Sequence, residues 1–410
     1  MKLRVLTYNV FFEPVCMELR MKAIGRVIER ARPAVVGFQE VTRDSLAMLK
    51  KQASTINNNR SCADVAPPFS EAYFVVLFSA LPVLALETLP FANSGMGREL
   101  VAMHVEVAPG RSLFIGTSHL ESMPQFSRTR VAQLKEAMRF LEERVESSAT
   151  ACLGAIFMGD TNLMRKDMKL LDTTQLGRAA AMLDVERAKS ARSKCRKCGE
   201  TIAKDALRVG KMAKDTLPGG KHLEIRLWYH EACFVGTATP DEKLVLQNLK
   251  ASNGASSGVA AASTDANKID LATLGLPSGW KDLWLSVEGN TEENGCTFDG
   301  KTNALVSSKA FQSRLDRMYF YAGPTPLREA FAASSSAVLD SMQIVGKEPI
   351  SDGLWPSDHF GLLASFNFED DSKASDESKT DADAASPPKK KTREAPTTSG
   401  RSAETAVEID

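Results

Sequence analysis

The sequence predicts an α/β fold interrupted by a small inserted module. Three observations predict it. Short apolar runs, such as Leu3 to Asn9 and Ala34 to Glu40, alternate with stretches of helical spacing, such as Glu18 to Arg32. Several of these runs stop abruptly in polar residues, most clearly Ala155 to Asn162. The rhythm breaks near Thr174 and resumes at Gly279, with a Cys/His cluster between.

Each element follows from its residues. Leu3 to Asn9 is a β-type run ending in a polar pair. Leu19, Ile24, Val27 and Ile28 mark a helix that Pro33 closes, and Ala34 to Glu40 is the next strand. Gln52 to Ser70 is rich in Asn, Ser and Pro and reads as a loop. Tyr73 to Phe91 is apolar enough and long enough to span a bilayer, but Pro82, Glu87 and Pro90 cut it. A hairpin of two buried strands is the expectation there. Glu99 to Val107 and Ser112 to His119 are further strands, and Arg128 to Ser147 carries Leu134, Met138 and Leu141 on one helical face. The strand Ala155 to Gly159 follows. After the insertion, strand text returns at Trp280, Thr297 to Asp299, Ser313 to Phe320 and Trp355 to Leu362.

The formal charge of the chain is zero, so no global basic field announces nucleic acid. No signal peptide is read at Met1 to Asn9. Seven cysteines in 410 residues do not suggest a disulfide scaffold, and three of them sit close to a histidine.

Asn9, Glu40, His119, Asp160, Asn162, Asp358 and His359 all end or follow β-like runs. In α/β sheets ligands bind beyond the carboxyl ends of strands. Carboxylates and carboxamides there suit a hard cation, and histidines beside them suit proton transfer or phosphate charge. Each piece has a bland reading. Gly159-Asp160-Thr161-Asn162 is a turn sequence, Glu40 a helix-start residue, and Asp316 between Arg314 and Arg317 a solvated ion pair.

Together the blocks Thr7-Tyr8-Asn9, Phe38-Gln39-Glu40, Gly159-Asp160-Thr161-Asn162, Arg314-Leu315-Asp316 and Ser357-Asp358-His359 resemble the endonuclease/exonuclease/phosphatase superfamily. Within it they resemble the tyrosyl-DNA phosphodiesterase branch, through Gly116 to Ser122, Gly159 to Leu163 and Pro356 to Leu362. The resemblance covers about residues 1–170 and 275–368. It implies a four-layer sandwich of two stacked mixed β-sheets flanked by helices, and metal-dependent phosphodiester hydrolysis. It implies that Glu40 holds Mg²⁺, or Mn²⁺ in its place, with Asn9 and Asp358 nearby, partly through water. Asp160 would activate the attacking water and Asn162 orient it. His119 and His359 would stabilise the phosphoryl oxygens, with Asp316 aligning His359. Tyr8, Phe298 and Phe360 stand where the family pattern has tryptophan, and Ser45 to Leu86 matches poorly.

Inside the insertion, Cys195-Arg196-Lys197-Cys198 and His230-Glu231-Ala232-Cys233 form two close pairs, the ligand chemistry of a structural Zn²⁺ site. The gap of 31 residues is longer than in common fingers and resembles the zinc finger of poly(ADP-ribose) polymerase and a DNA ligase. That family recognises DNA breaks by structure. Residues 188–235 hold eleven Lys/Arg against five Asp/Glu, a net of +6, which is the footprint expected for phosphate contact. Lys189, Arg192, Lys194 and Arg208 in the finger, with Arg130 and Arg314 in the core, are the candidate DNA contacts. Met212, Leu217 and Ile225 are candidate caps for a terminal base.

The expected organisation is a core over 1–173 and 273–368, a finger over 174–249, a flexible linker over 250–272 and a disordered tail over 369–410. The linker, rich in Gly, Ser and Ala, should behave as a coil of roughly 20 Å or more and leave the finger free to reorient. The tail carries the basic run Lys389-Lys390-Lys391-Thr392-Arg393, which suits nuclear import. The expected protein is a monomeric nuclear phosphodiesterase acting on DNA ends, most simply on 5′-phosphotyrosyl bonds of topoisomerase adducts, with no membrane partner. The alternatives are an apurinic or 3′-end-cleaning nuclease on the same fold, and a break-binding scaffold.

Overall fold

The computed structural model describes residues 2–56, 61–62, 72–149, 151–171, 179, 182–216, 222–252, 272–273, 275–323, 327, 329–330 and 338–368. The expected linker lies largely outside the described residues, and the expected tail with its basic run lies wholly outside them.

The chain opens with strand β1 (Lys2–Asn9), helix α1 (Met17–Ala31), strand β2 (Val35–Val41) and helix α2 (Arg43–Ile56). Strands β3 (Ser61–Cys62), β4 (Phe74–Ser79), β5 (Val83–Pro90), β6 (Glu99–Ala108) and β7 (Arg111–His119) follow. Helix α3 (Ser127–Glu146) leads to β8 (Ala151–Asp160) and a short helix α4 (Met168–Leu171). The insertion holds β9 (Leu183–Arg187), β10 (Leu207–Thr216), β11 (His222–His230) and the helices α5 (Glu231–Val235) and α6 (Pro240–Ser252). The core resumes with β12 (Trp280–Asp282), β13 (Phe298–Asp299), β14 (Gln312–Ser313), β15 (Asp316–Ala322), β16 (Leu339–Val345) and β17 (Gly361–Asn367).

Two six-stranded sheets carry the core, in the orders β16-β17-β1-β2-β4-β3 and β12-β15-β8-β7-β6-β5. The first cluster of buried side chains lies between them, with Leu3, Val5 and Val35 meeting Val101, Ile115, Met158 and Phe320. Ile24, Met21 and Leu49 of α1 and α2 cover the outer side of the first sheet, and Leu134, Met138 and Leu141 of α3 cover the second. The result is the expected helix–sheet–sheet–helix sandwich. Alternation explains it: on β1, Leu3 and Val5 face the other sheet while Leu6 and Tyr8 face α1.

Each sheet is built around one parallel pair joined by a helix, β1-α1-β2 and β7-α3-β8. An antiparallel strand flanks each pair, β17 beside β1 and β15 beside β8. The carboxyl ends of both parallel pairs therefore converge on one edge of the sandwich. Just inside that edge the two sheets approach closely. Gln39 Nε2 donates to Thr117 Oγ1 across the gap at 2.8 Å and to Thr7 Oγ1 at 3.1 Å. A Cβ on Gly37 would meet Thr117 Oγ1 at 2.8 Å and the Met158 methyl at 2.9 Å, so the approach requires glycine.

Two expectations fail here. Residues 73–91 do not form a hairpin. β4 pairs with β2 in the first sheet, and β5 pairs with β6 at the edge of the second. The chain changes sheet at 80–82, and no residue of β5 is fully buried. Prolines 82 and 90 sit at the strand's margins, where edge pairing tolerates them. Within the loop expected from Gln52 to Ser70, α2 instead runs to Ile56 and β3 (Ser61–Cys62) pairs with β4, the rest lying outside the described residues. Among the described residues no helix is long and apolar enough to cross a membrane.

Candidate active site

The converging strand ends bring the predicted residues together. β1 delivers Asn9, β2 Glu40, β7 His119 and β8 Asp160, while β15 begins at Asp316 and Asp358-His359 lead into β17. Gly159 has φ 149°, and a Cβ there would meet the Ser118 carbonyl oxygen at 2.0 Å. Glycine thus lets β8 press against β7 so that Asp160 lies beside His119. Glu40 (φ 57°) and Asn162 (φ 51°) hold left-handed conformations uncommon for such residues.

Asp160 is the centre. Its Oδ2 accepts a hydrogen bond from Asn9 Nδ2 at 3.0 Å and lies 3.4 Å from His119 Nε2 and 3.8 Å from His359 Nε2. Its Oδ1 accepts from the Asn162 backbone N–H at 2.9 Å. The Asn162 amide donates to the Leu120 carbonyl at 3.1 Å, which fixes its plane. His359 Nδ1 is 2.7 Å from Asp316 Oδ2, and the His359 ring packs edge-on against Phe298 at 4.9 Å. The solvated-ion-pair reading of Asp316 is therefore wrong: it is fully buried and points into the site. Glu40 Oε2 accepts from the Phe12 N–H at 3.1 Å, and Glu40 Oε1 stands 4.0 Å from His119 Nδ1. Ser357 ties the last block down, donating to the Asn9 carbonyl at 2.7 Å.

The electrostatics follow from burial. Desolvation pushes Asp160 and Asp358 up to about 6, opposed by His359. Glu40 is raised for the same reason, with Asp160 adding to it. Burial, with Arg98 and His359 nearby, holds His119 well below its ordinary value. Burial would lower His359 too, but the Asp316 and Asp160 carboxylates outweigh it and hold it well above. One imidazole is thus kept neutral and the other protonated. Four carboxyl groups face one imidazolium, and the buried Asp316 Oδ1 and His119 Nδ1 have no hydrogen-bond partner. Ligand atoms of Glu40, His119 and Asp160 lie within 4.8 Å of one another. This oxygen-rich, cation-poor donor set fits a divalent metal ion.

Sequence reasoning missed the wall beside the site. Phe12 stacks on Tyr73 at 4.9 Å, and Tyr73 in turn lies over His119 at 6.0 Å. Arg98 sits 5.2 Å over the Tyr73 ring and donates to its hydroxyl at 3.2 Å. Neither Tyr73 nor Arg98 belongs to a strand-end pattern, so no local signal marks them.

Two predicted DNA contacts are overturned. Arg130 is fully buried, bonded to Asp167 at 2.8 Å and to the Met123 carbonyl at 2.8 Å. Arg314 is clamped between Asp282, at 2.9 and 2.6 Å, and Glu292, at 2.7 Å. Both guanidiniums are spent inside the core. Arg208 is also engaged, stacked 3.7 Å over Trp228 and paired with Glu186. Lys189, Arg192 and Lys194 remain exposed.

In the insertion, Cys195, Cys198, His230 and Cys233 come together as the spacing predicts. Cys198 Sγ is 3.4 Å from His230 Nδ1, and the His230 N–H reaches Cys195 Sγ at 3.4 Å. Backbone N–H groups outweigh burial and bring Cys195 down to about 6, while burial and its two neighbouring cysteines push Cys233 up to about 11. Crowded thiols of this kind fit a Zn²⁺ ion that holds all of them as thiolates. Met212 and Ile225 lie half-buried on adjoining strands, and Leu217 is outside the described residues. The insertion is not freely tethered. Asp184 on β9 is buried, pairs with Arg226 at 2.8 Å and binds Arg165, which follows Asn162 closely and also binds Glu293 of the core. Lys250 to Ser252, expected as linker, continue helix α6.

Residues 186–255 match the family described as the poly(ADP-ribose) polymerase and DNA-ligase zinc-finger region. Tyrosyl-DNA phosphodiesterase 2 of Homo sapiens is 32% identical over 152 residues, 36% of this chain and 38% of that protein. The Rattus norvegicus protein of the same name is 30% identical over 193 residues, 46% and 48% of the two chains. The chain thus spans less than half the length of these relatives. The solved structure of TDP2 from C. elegans superposes with a TM-score of 0.52 at 17% identity, covering 89% of this chain and 75% of that one. That of D. rerio TDP2 with a single-strand DNA product does so with a TM-score of 0.52 at 19% identity, covering 89% and 99%. The chain therefore has the fold of the tyrosyl-DNA phosphodiesterase 2 structures and resembles that enzyme in sequence, with a finger similar to that of poly(ADP-ribose) polymerase and DNA ligase set into it.

Proposed function

We propose that the protein is a metal-dependent phosphodiesterase that hydrolyses 5′-phosphotyrosyl bonds at DNA ends. The observation that carries the reading is Asp160, buried and held by Asn9 between a neutral and a protonated histidine. In this reading Asp160 orients a water and takes its proton, and the Asn162 backbone N–H bonded to its second oxygen supports that role. His359, kept cationic by Asp316, donates to a phosphoryl oxygen where negative charge builds up. His119 offers a second ring nitrogen to the same group. Glu40, with Asp358 and Asn9 behind it, would hold Mg²⁺, which when bound supplies further positive charge. Exposed Lys189, Arg192 and Lys194 suit a DNA backbone beside the zinc site. A DNA partner also suits nuclear residence and action as a monomer.

The test is purified, zinc-loaded protein with Mg²⁺ on 5′-tyrosyl, abasic and 3′-phosphoglycolate oligonucleotides in parallel. Preferential release of tyrosine supports the reading, and preferential abasic-site cleavage replaces it with the apurinic endonuclease. No turnover on any of them leaves a break-binding protein. Pairing Cys195→Ser with Cys198→Ser should weaken binding to duplex ends while a small tyrosyl-phosphate mimic is still hydrolysed. Equal loss of both would make the finger part of the catalytic fold.

A further inference from the structure

Arg20 lies on α1, outside every motif discussed above, and is completely buried. No carboxylate pairs with it among the described contacts. All of its N–H groups instead go to main-chain carbonyls of one loop. Nε donates to Val15 at 2.8 Å, Nη1 to Val10 at 2.8 Å and Phe11 at 3.1 Å, and Nη2 to Phe11 at 3.1 Å and to Glu13. A guanidinium has five N–H donors, so its capacity is filled. Its carbon also sits 5.1 Å over the Phe11 ring.

The loop so gripped, between β1 and α1, is strained. Phe11 and Cys16 take φ of 62° and 46°, conformations that non-glycine residues rarely hold without support. It is also the loop that touches the site. The Phe11 N–H donates to Asn9 Oδ1 at 3.0 Å, and the Phe12 N–H donates to Glu40 Oε2 at 3.1 Å. Phe12 further supplies the outer ring of the stack over Tyr73.

We propose that Arg20 is a positioning residue for the metal-binding carboxylate. It holds the Val10–Cys16 loop in the one shape that aims the Phe12 N–H at Glu40 and the Phe11 N–H at Asn9. The planar fork is essential, because the bonded carbonyls are spread around it. Lysine offers one compact ammonium and cannot span them. The inference rests on the reading of Glu40 as the metal ligand, and the test separates the two.

The experiment is calorimetric titration of Mg²⁺ into zinc-loaded protein: wild type, Arg20→Lys, Arg20→Met and Glu40→Gln, with folding checked by circular dichroism. The expected result is a rise of about tenfold in the Mg²⁺ dissociation constant for both Arg20 variants, in line with the effect of losing groups that orient a metal ligand. Glu40→Gln should weaken binding at least as much. If Glu40→Gln binds Mg²⁺ like wild type, the metal reading itself fails. If only Glu40→Gln weakens binding, or if Arg20→Lys restores it, the positioning role is overturned. Loss of the fold in both Arg20 variants also overturns it, because a loop clamp must be separable from the core.

Discussion

Two charge clusters meet at strand β15, which contributes Asp316 to one and Arg317 to the other. At the active site, Glu40, Asp160, Asp316 and Asp358 face one protonated histidine, and burial leaves Asp160 and Asp358 near 6. On the far side of β15, Asp282 and Glu292 face Arg314 and Arg317, and those guanidiniums overcome burial to hold Glu292 near 2. Both clusters are largely buried and both are hydrogen-bonded. Only the second is neutralised from within. A buried set of acids short of cations is a site awaiting one, whereas a matched set is structure.

The largest expected effect tests the unmatched side. Asp160→Asn should lower turnover by about 10²–10⁴-fold while the melting temperature holds or rises, because an uncompensated buried charge is removed. Kinetics and calorimetry on one preparation check both; near-wild-type turnover would break the comparison. On the matched side, Arg314→Met should cost about 3–5 kcal/mol of stability, since Asp282 and Glu292 lose their counter-charge. Urea unfolding measures it, and a cost below about 1 kcal/mol would mean that the match is not stabilising.

A smaller effect concerns pH. A carboxyl pKa raised in the folded state means that ionising it costs stability above about 6 and nothing well below the unfolded value near 4. A cation that binds there relieves this cost. The rise in melting temperature on adding Mg²⁺ should therefore be greater at about pH 7.5 than at about pH 5, shrinking as the pH falls through 6. Equal increments would place the metal elsewhere. The smallest effect lies on the finger's exposed face. Lys189→Ala with Lys194→Ala should reduce the salt dependence of duplex-end binding by roughly one unit of slope per contact, without altering stability. An unchanged slope would remove these two lysines from the DNA interface.

The site was largely legible because its residues end strands. Asn9, His119 and Asp160 each stop an apolar run, and such a break is visible in one dimension. Strand order was not. Nothing between Tyr73 and Phe91 states that β4 and β5 join different sheets, since both are short and both are apolar. The charges misled for a related reason. Arg314 and Arg130 look like any surface arginine until Asp282 and Asp167 are brought to them from elsewhere in the chain. Tyr73 and Arg98 meet only in space. Arg20 sits on a helix of ordinary pattern, and its four carbonyl partners have no side-chain signature at all.

The pairing of β1 with β17 has a consequence for how the chain could be rewired. Lys2 lies opposite Asn367 in that antiparallel pair, so the two extremities of the core stand about one strand spacing apart, roughly 5 Å. A few glycines could join them in a chain cut back to Phe368. New termini could then be opened between α6, which ends at Ser252, and β12, which begins at Trp280. In such a circular permutant the finger becomes the carboxyl-terminal module, yet every strand keeps its partners and Asp184 still meets Arg165. If that permutant folds, the ion pairs of Arg165 with Asp184 and Glu293, and not the order of the chain, are what root the finger on the core.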